Sequence, residues 1–306
     1  MYIFDAHCDV IWQLWEHQGN FENDKRLHVT LHNLKRANGK IQCFAIYIPD
    51  KVPMEQRFDI ALEMIEIFYR EILEKYPEMK LILTKSDIKT LKENEIGAIL
   101  TLEGCDAIGA NIVRLHTLYR LGIRSIGLTW NYSNFVADGV LETRGAGLTS
   151  FGKEVVNTLD EYHLWTDVSH LSEKGFWDVI ALAKHPIASH SNAFTIRKHP
   201  RNLKDEQIKA LIDRDGMIGI TFYPGFIKDT SSVQIIDILR HIDHICSLGG
   251  EANIGFGSDF DGIHETVEQL RSYADYENLI NELLKYYKQE QVERFLFTNF
   301  LNHISF

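Results

Sequence analysis

Residues 165–190 read WTDVSHLSEKGFWDVIALAKHPIASH. Two short apolar runs at the ends of this stretch, 165–169 and 187–189, predict strands, and the periodicity between them predicts a helix. A strand, a helix and a second strand form a βαβ unit, whose two strands run parallel. His170 and His190 each follow a strand directly, so the stretch also places two imidazoles at one edge of a predicted sheet.

The same alternation of apolar runs and helical segments extends through the chain. Eight strands are predicted, over residues 3–8, 41–48, 97–102, 125–129, 165–169, 187–189, 217–222 and 253–257. Helices are predicted over residues 32–37, 54–76, 112–121, 151–162, 173–183, 205–214, 232–248, 276–287 and 289–300. Eight such units predict an α/β protein with a (β/α)8 TIM barrel, since open doubly wound sheets more often stop at about five to seven strands. Because no linker or repeat interrupts the chain, we expect a single catalytic barrel domain over residues 1–306.

The composition is that of a globular enzyme. The 306 residues carry 32 Lys and Arg against 43 Asp and Glu, a formal charge of −11, and 45% of them are hydrophobic. An acidic chain without a basic run disfavours nucleic-acid binding. There is no secretory signal and no apolar run of about 18 residues, so we expect a cytoplasmic protein without a membrane anchor. Four cysteines without a CxxC pair indicate reduced, mostly buried thiols.

Ionisable residues recur at the downstream ends of the predicted strands. They are His7, Asp9, Glu103, His170, His190, Asp259 and Asp261. In a barrel these ends converge on one mouth, where such groups without Lys or Arg would repel one another unless a divalent metal were bound. Nitrogen and oxygen ligands without a thiolate suit zinc, and also Mn, Fe or Co.

The number and spacing of these residues favour two ions. His7 and Asp9 are two residues apart, so both point to the same face of a strand. Three His and three acids, six of these seven groups, already exceed the three ligands that a single catalytic zinc takes, and a carboxylate such as Glu103 can bridge two ions. A binuclear hydrolytic site is therefore the hypothesis.

Each residue also has a structural interpretation. A single strand-end His, such as His170 or His190, is more often a hydrogen-bonded structural residue, and Glu103 could cap the following helix. Asp259 and Asp261 lie next to a glycine and could form a turn. Their joint placement at five strand ends is what favours a metal site.

Two further histidines receive no role in this hypothesis. His241 and His244 lie three residues apart on a predicted helix, but they lack the HExxH spacing and a third ligand nearby. We assign both to a solvent-facing side of that helix.

Six strings, in order along essentially the whole chain, resemble the membrane (renal-type) dipeptidase family of zinc metallopeptidases. They are His7-Cys-Asp9, Leu102-Glu-Gly104, GLTSFGKEVV over residues 147–156, Asp167-Val-Ser-His170, Ser189-His-Ser191 and Gly257-Ser-Asp-Phe-Asp-Gly262. The resemblance implies an amidohydrolase-like barrel with two zinc ions per chain. It further implies that one ion is bound by His7 and Asp9. The other ion is then bound by His170 and His190, and Glu103 bridges the two.

The resemblance also implies substrate contacts. Asp259 matches the acid that shuttles a proton and contacts the substrate amine, and Arg201 matches the residue that holds the substrate carboxylate. Tyr223, in Phe222-Tyr-Pro224, fits a position of the substrate pocket. The chain departs from the family at Trp130, where better-known members carry a His that contacts the region of the substrate carbonyl. An indole N–H donates a hydrogen bond but neither accepts one nor carries charge.

The function predicted from these residues is a zinc-dependent dipeptidase, in which a metal-bound hydroxide attacks the peptide bond of a dipeptide. Whether L,D-dipeptides are among its substrates is left open by the sequence. The alternative is a metal-dependent amidohydrolase that acts on N-acyl amino acids or another small amide, which the departure at Trp130 permits. A barrel kept only as a binding or scaffold protein is a third interpretation. The expected partners are a small peptide substrate and, by family analogy, a second copy of the chain in a homodimer.

Overall fold

The structure is a computed structural model that describes residues 1–230 and 232–306. The chain divides into two compact units. The first unit comprises Met1–Cys43 and Ala188–Ile304, and the second comprises Phe44–Ile187 and Ser305–Phe306. The single catalytic domain over residues 1–306 stays a prediction.

The strands pair in parallel within each unit. In the described residues they are β1 (Ile3–Asp5), β2 (Gly39–Tyr47), β3 (Met79–Leu81), β4 (Ile96–Glu103), β5 (Ile123–Gly127), β6 (Trp165–Asp167), β7 (Pro186–Ala188), β8 (Met217–Ile220) and β9 (Ile254–Phe256). In the first unit β1 pairs with β2 and β9, and β9 pairs with β8. In the second unit the pairing follows chain order from β3 to β7. Because these strands are parallel, the carboxyl ends of paired strands lie at the same edge.

Helices separate the strands along the chain, as parallel pairing requires. In the described residues they are α1 (Val10–His17), α2 (Leu31–Arg36), α3 (Arg57–Ile67), α4 (Lys85–Thr90), α5 (Ile112–Arg120), α6 (Ser150–Glu161), α7 (Glu173–Leu182), α8 (Asp205–Asp213), α9 (Pro224–Ile227), α10 (Ile235–Ser247), α11 (Tyr276–Leu283), α12 (Gln289–Glu293) and α13 (Asn299–His303). There are 3-10 turns at Met54–Gln56, Cys105–Ile108 and Tyr273–Asp275, and π-helical turns at Phe68–Glu74 and Arg294–Thr298. Side-chain caps begin some helices. At α7, for example, the Ser172 hydroxyl oxygen accepts a hydrogen bond from the Gly175 N–H at 3.1 Å.

The strands are recognisable in the sequence because they are buried on both faces. Strand β4, for instance, is buried from Ile96 to Leu102, and its sequence is an almost continuous apolar run. The eight predicted strands correspond to β1, β2 and the six strands from β4 to β9. The sequence pattern missed the short strand β3 and the helices α1, α4 and α9.

Two glycines permit very close backbone packing next to the end of β7 in the first unit. A Cβ atom on Gly219 would lie 1.9 Å from the Ser189 carbonyl oxygen, and one on Gly257 would lie 1.8 Å from the same atom. Any side chain at either position would clash with backbone. Ser189, and His190 after it, are therefore held closely by the neighbouring strand ends.

Among the described residues, no helix combines the length and the apolar character that crossing a membrane requires.

Candidate metal centre

Three ionisable side chains of the first unit group together at the ends of β1 and β9. The His7 Nε2 atom lies 3.2 Å from Asp9 Oδ2 and 3.9 Å from Asp259 Oδ1. One ligand atom from each residue can be chosen so that all three lie within 4.8 Å of one another. Ligands that bind one zinc ion at about 2.0–2.2 Å in a tetrahedral site are themselves about 3–4 Å apart. His7 and Asp9 therefore have the spacing of two ligands of a single ion, and the Asp259 carboxylate lies beside them.

Backbone conformation brings the two carboxylates of this group together. Asp259 has a φ of +65°, in the left-handed region that Asp enters more readily than most residues. A Cβ atom on Gly262 would lie 2.3 Å from Asp9 Oδ2 and 2.7 Å from Asp259 Oδ1. The glycine thus leaves the space that both carboxylates occupy.

Burial makes the charges of this group unfavourable unless a cation is bound. Desolvation raises the pKa of Asp259 to about 7, although the nearby charge of Arg201 lowers it in part. Desolvation also raises the pKa of Asp9, and the negative charge of Asp261 adds to this effect. The Oδ1 atom of Asp9 is buried and has no hydrogen-bond partner among the described residues. A buried carboxylate oxygen of this kind, next to an imidazole, fits a bound divalent cation.

His190 lies beside this group in the first unit. Its ring centroid is 3.9 Å from that of His7, and the side chain is buried. The Nδ1 atom forms a 2.8 Å hydrogen bond with the Ser189 hydroxyl. When Nδ1 donates this bond, Nε2 carries the lone pair that can bind a metal.

Arg201 is buried near the same group. Its guanidinium donates a hydrogen bond to the His190 carbonyl oxygen at 3.1 Å and lies over the Phe226 ring at 5.4 Å. Tyr223 packs on the other side of this contact, since its ring centroid is 4.7 Å from that of Phe226. The first unit thus places a buried cation near Asp259 and an aromatic residue near that cation.

The second unit contains a different pairing of two predicted ligands. The His170 Nε2 atom, after β6, lies 3.0 Å from the Glu103 Oε1 atom at the end of β4, and both side chains are largely buried. His170 has a φ of +66°, which turns the chain sharply at this point. This separation also suits two ligands of one ion.

Trp130 lies next to this pair in the second unit. The Trp130 ring centroid is 6.1 Å from that of His170, 5.4 Å from that of Tyr47 and 6.2 Å from that of Tyr132. Tyr132 is half exposed. The three rings form an aromatic cluster beside a proposed metal ligand.

Asp261 serves the backbone instead of the His7–Asp9–Asp259 group. Its carboxylate accepts hydrogen bonds from the His28 and Val29 N–H groups at 2.7 and 2.9 Å. For this residue the interpretation as part of a turn is the one that the structure supports.

The assignment of His241 to a solvent-facing side was wrong. The side chain is fully buried, with Nδ1 accepting from the Ala193 N–H at 3.1 Å and Nε2 donating to the Ile227 carbonyl at 3.0 Å. Burial lowers its pKa to about 4, so the ring is neutral near neutral pH. The residue lies three positions after Ile238, on the apolar face of α10, which is why it faces inward. His244 is mostly buried as well and bonds Asp205 at 2.8 Å.

Sequence reasoning also missed the side chains that orient two of the imidazoles. Asn131 Oδ1 lies 2.8 Å from His170 Nδ1, and the Ser189 hydroxyl contacts His190. Ser189 precedes His190 directly, which is a signal that could have been used. Asn131 lies 39 residues before His170, and nothing in the sequence joins the two.

Known proteins similar to this chain point to one family. The family model described as membrane dipeptidase (peptidase family M19) matches residues 1–305. An uncharacterized protein in the pqqA 5′ region of Klebsiella pneumoniae is 32% identical over 256 residues, which are 79% of this chain and 94% of that protein. An uncharacterized dipeptidase of Schizosaccharomyces pombe is 29% identical over 302 residues, which are 92% of this chain and 73% of that protein.

Solved structures agree with these relatives. A crystal structure of a metallopeptidase called dipeptidase AC is 26% identical and superposes with a TM-score of 0.93, covering 99% of this chain and 98% of the other. A metallopeptidase from Rhodobacter sphaeroides, crystallised with a phosphinate mimic of the dipeptide L-Ala-D-Ala, gives a TM-score of 0.94 at 24% identity. The alignment covers 100% of this chain and 99% of that one.

The fold is a (β/α)8 barrel, and its strand ends carry grouped metal ligands, which together define a metallohydrolase of the barrel class. The chain belongs to the membrane dipeptidase family, peptidase family M19. The predicted fold class and the predicted family are both confirmed. A metal cofactor follows from membership of this metallopeptidase family, and the His7–Asp9–Asp259 group supplies suitable ligands.

Proposed function

We propose that this protein is a zinc-dependent dipeptidase that hydrolyses the peptide bond of dipeptides, with L,D-dipeptides among its substrates. The observation that carries the proposal is the buried His7–Asp9–Asp259 group with the Arg201 guanidinium near it, all within the first unit. The His7–Asp9–Asp259 group suits a metal ion, and the Arg201 guanidinium suits a substrate carboxylate.

The proposed metal ligands are His7, Asp9, Glu103, His170 and His190. Imidazole nitrogens and carboxylate oxygens without a thiolate suit zinc, and the same donors would also hold Mn, Co or Fe. A count of two ions with Glu103 as their common ligand rests on the family resemblance. When bound, the metal supplies a Lewis acid for the peptide carbonyl and lowers the pKa of water.

We assign the proton transfer to Asp259. Its carboxylate lies close to His7 and beside the proposed metal ligands. A carboxylate at this position can accept the proton of the attacking water and return it to the leaving amine. Without that return the amine would have to leave as an unstable anion.

Arg201 is the proposed ligand of the substrate's terminal carboxylate. A guanidinium binds a carboxylate through two parallel hydrogen bonds, which fixes the distance from the carboxylate to the scissile bond. This limits good substrates to peptides that end one residue after that bond. We propose that Tyr223 and Trp130 contact the remainder of the substrate. Tyr223 packs against Phe226, and Trp130 belongs to the aromatic cluster beside His170.

The test is the release of free amino acids from a panel of L,L- and L,D-dipeptides by chelator-treated protein, before and after zinc is restored. Hydrolysis only after restoration is expected, together with about two zinc ions bound per chain. His7→Asn should lose both the zinc and the activity, whereas His32→Asn, at an exposed position of the same unit, should keep both.

The outcome can also favour the amidohydrolase. Zinc-bound protein that cleaves N-acyl amino acids and no dipeptide would reject the dipeptidase and keep the metal site.

The homodimer and the cytoplasmic location are further predictions from the sequence. Gel filtration with light scattering, and fractionation of cells, would test them.

A further inference from the structure

The side chain of Asn131 contacts the imidazole of His170 on the side away from Glu103. Asn131 Oδ1 lies 2.8 Å from His170 Nδ1, and Glu103 Oε1 lies 3.0 Å from Nε2. We infer that Asn131 is a positioning residue that fixes the tautomer and the ring orientation of His170 for metal binding. The inference rests on the proposed role of His170 as a metal ligand.

The two side chains differ in the hydrogen bonds that they can donate and accept. A neutral imidazole carries one N–H and one lone pair, and its hydrogen-bond partners decide which nitrogen holds which. An amide oxygen only accepts hydrogen bonds. The contact with Asn131 Oδ1 therefore favours the form of His170 with a proton on Nδ1, which is the form whose Nε2 lone pair can bind a metal. Nε2 is the atom beside Glu103, the other proposed ligand in the second unit.

The backbone around Asn131 is fixed on several sides. The Asn131 carbonyl accepts a hydrogen bond from the Leu141 N–H at 2.8 Å. A Cβ atom on Gly139 would lie 2.3 Å from the Asn131 carbonyl carbon, so only glycine allows the chain to return this closely. The amide group that meets His170 is thus carried by a tightly packed loop.

The same loop also holds the backbone of His170. The His170 carbonyl accepts a hydrogen bond from the Val140 N–H at 2.7 Å and one from the Thr129 hydroxyl at 3.3 Å. One segment, residues 129–141, therefore fixes both the main chain and the ring of this histidine. A left-handed residue such as His170 depends on contacts of this kind to stay in place.

The contact at His190 differs in kind. Its Nδ1 atom meets the Ser189 hydroxyl, which can either donate or accept a hydrogen bond. A hydroxyl does not dictate the tautomer, whereas an amide oxygen does. Asn131 therefore has a directing role that Ser189 lacks.

The test compares Asn131→Leu, which removes the acceptor, with Asn131→Asp, which keeps one. Zinc affinity is measured by competition with a chromophoric chelator, and the His170 tautomer is read from ¹⁵N shifts of the metal-free protein. Asn131→Leu is expected to weaken zinc binding about 10- to 100-fold and to shift His170 away from the Nδ1–H form. Asn131→Asp should stay within about 3-fold of wild type and keep the tautomer.

Ser133→Ala is the matched control, because this exposed residue lies two positions after Asn131 in the same loop. It should leave zinc affinity and tautomer unchanged. If Asn131→Leu does not fold, Asn131→Ala replaces it. An unchanged tautomer after loss of the acceptor overturns the inference, and so does an equal loss of affinity in the Leu and Asp variants. Wild-type protein that binds no zinc would instead reject the proposed metal site, since the tautomer is measured without metal.

Discussion

The two units hold their proposed metal ligands in opposite ways. In the first unit, Asp9 and Asp259 are crowded against His7, and burial raises the pKa of both acids. In the second unit, the His170 and Glu103 side chains form a pair, and Asn131 holds the far side of the imidazole. The charge of the two acids in the first group is only partly offset by Arg201, so a bound cation would stabilise it. In the second group, the hydrogen bond between His170 and Asn131 orients the imidazole without a cation.

The largest expected effect concerns the crowded group. Asp259→Asn should lower kcat about 1000-fold, within the range for loss of a general acid–base, while the bound zinc stays at the wild-type level. Asp261→Asn is the matched control, because this acid lies two residues away and bonds backbone N–H groups instead of His7. It should change kcat less than about 10-fold. Equal losses in the two variants, measured as kcat and zinc content, would remove Asp259 from the proton transfer.

A buried histidine of the first unit tests whether burial alone shifts a pKa there. The folded-state pKa of His241 is about 4, below its ordinary value of 6.5, so the unfolded chain binds the extra proton first as pH falls. Its contribution to stability is therefore complete above pH 6.5. It is lost between about pH 6.5 and 4, by roughly 3 kcal/mol.

His241→Gln should make that loss smaller, since an amide can replace both hydrogen bonds without titrating. The measurement is the free energy of unfolding of both proteins in urea at pH 7 and at pH 4.5. His32→Gln, at an exposed position of the same unit, should behave like wild type. A pH dependence of His241→Gln identical to that of wild type would show that burial of this ring is not the cause.

The next effect concerns the cation of the first unit. Arg201→Lys should lower kcat/KM for dipeptides about 30-fold, or ~2 kcal/mol, mainly through KM, because an ammonium cannot form the paired hydrogen bonds of a guanidinium. The same dipeptides with an amidated carboxyl end should be poor substrates of both proteins. Equal kcat/KM values of wild-type protein for free and amidated dipeptides would contradict the contact between Arg201 and the substrate carboxylate.

The smallest expected effect is on the stability of the metal-free protein, which is compared for one variant in each unit. Asp259→Asn should stabilise the chelator-treated protein at pH 8 by about 1 kcal/mol, since it removes a buried charge that Arg201 offsets only in part. Glu103→Gln should change the stability by less than about 0.5 kcal/mol, because the new amide N–H can bond His170 Nε2. Denaturation in urea measures both. Stabilisation by Glu103→Gln of the same size would erase the difference between the units.

The order of the buried strands and the placement of the proposed ligands after them could be predicted from the sequence, because both depend on periodicity and chain order. The buried parallel strands show as apolar runs, and the spacing of two predicts that His7 and Asp9 point to the same side, although both follow β1 in the structure. Strand β3 has only three residues, two of them partly exposed, which is too short for a pattern. The inward side of α10 was misjudged at His241, since a histidine on an apolar face looks polar in the sequence although its two hydrogen bonds satisfy it there.

The support of the proposed ligands could not be predicted, because it depends on how loops return. The contact of Asn131 with His170 requires a left-handed residue at His170 and a close return of the chain at Gly139. Neither is a local property of sequence. Asp259 and Asp261 likewise have the same residue type, similar positive φ values and a raised pKa, yet only Asp259 lies near His7. The difference appears only when the partners of each are known.

The two glycines against the Ser189 carbonyl have a consequence for how this protein can change over generations. Because a Cβ atom is excluded at Gly219 and at Gly257, no other amino acid fits at either position. A substitution at one of them cannot be compensated at the other, which already lacks a side chain. Variation at the mouth of the barrel must then accumulate elsewhere, in half-exposed loop residues such as Tyr132. New substrate preferences would then arise more readily at such loop residues than at the two glycine positions.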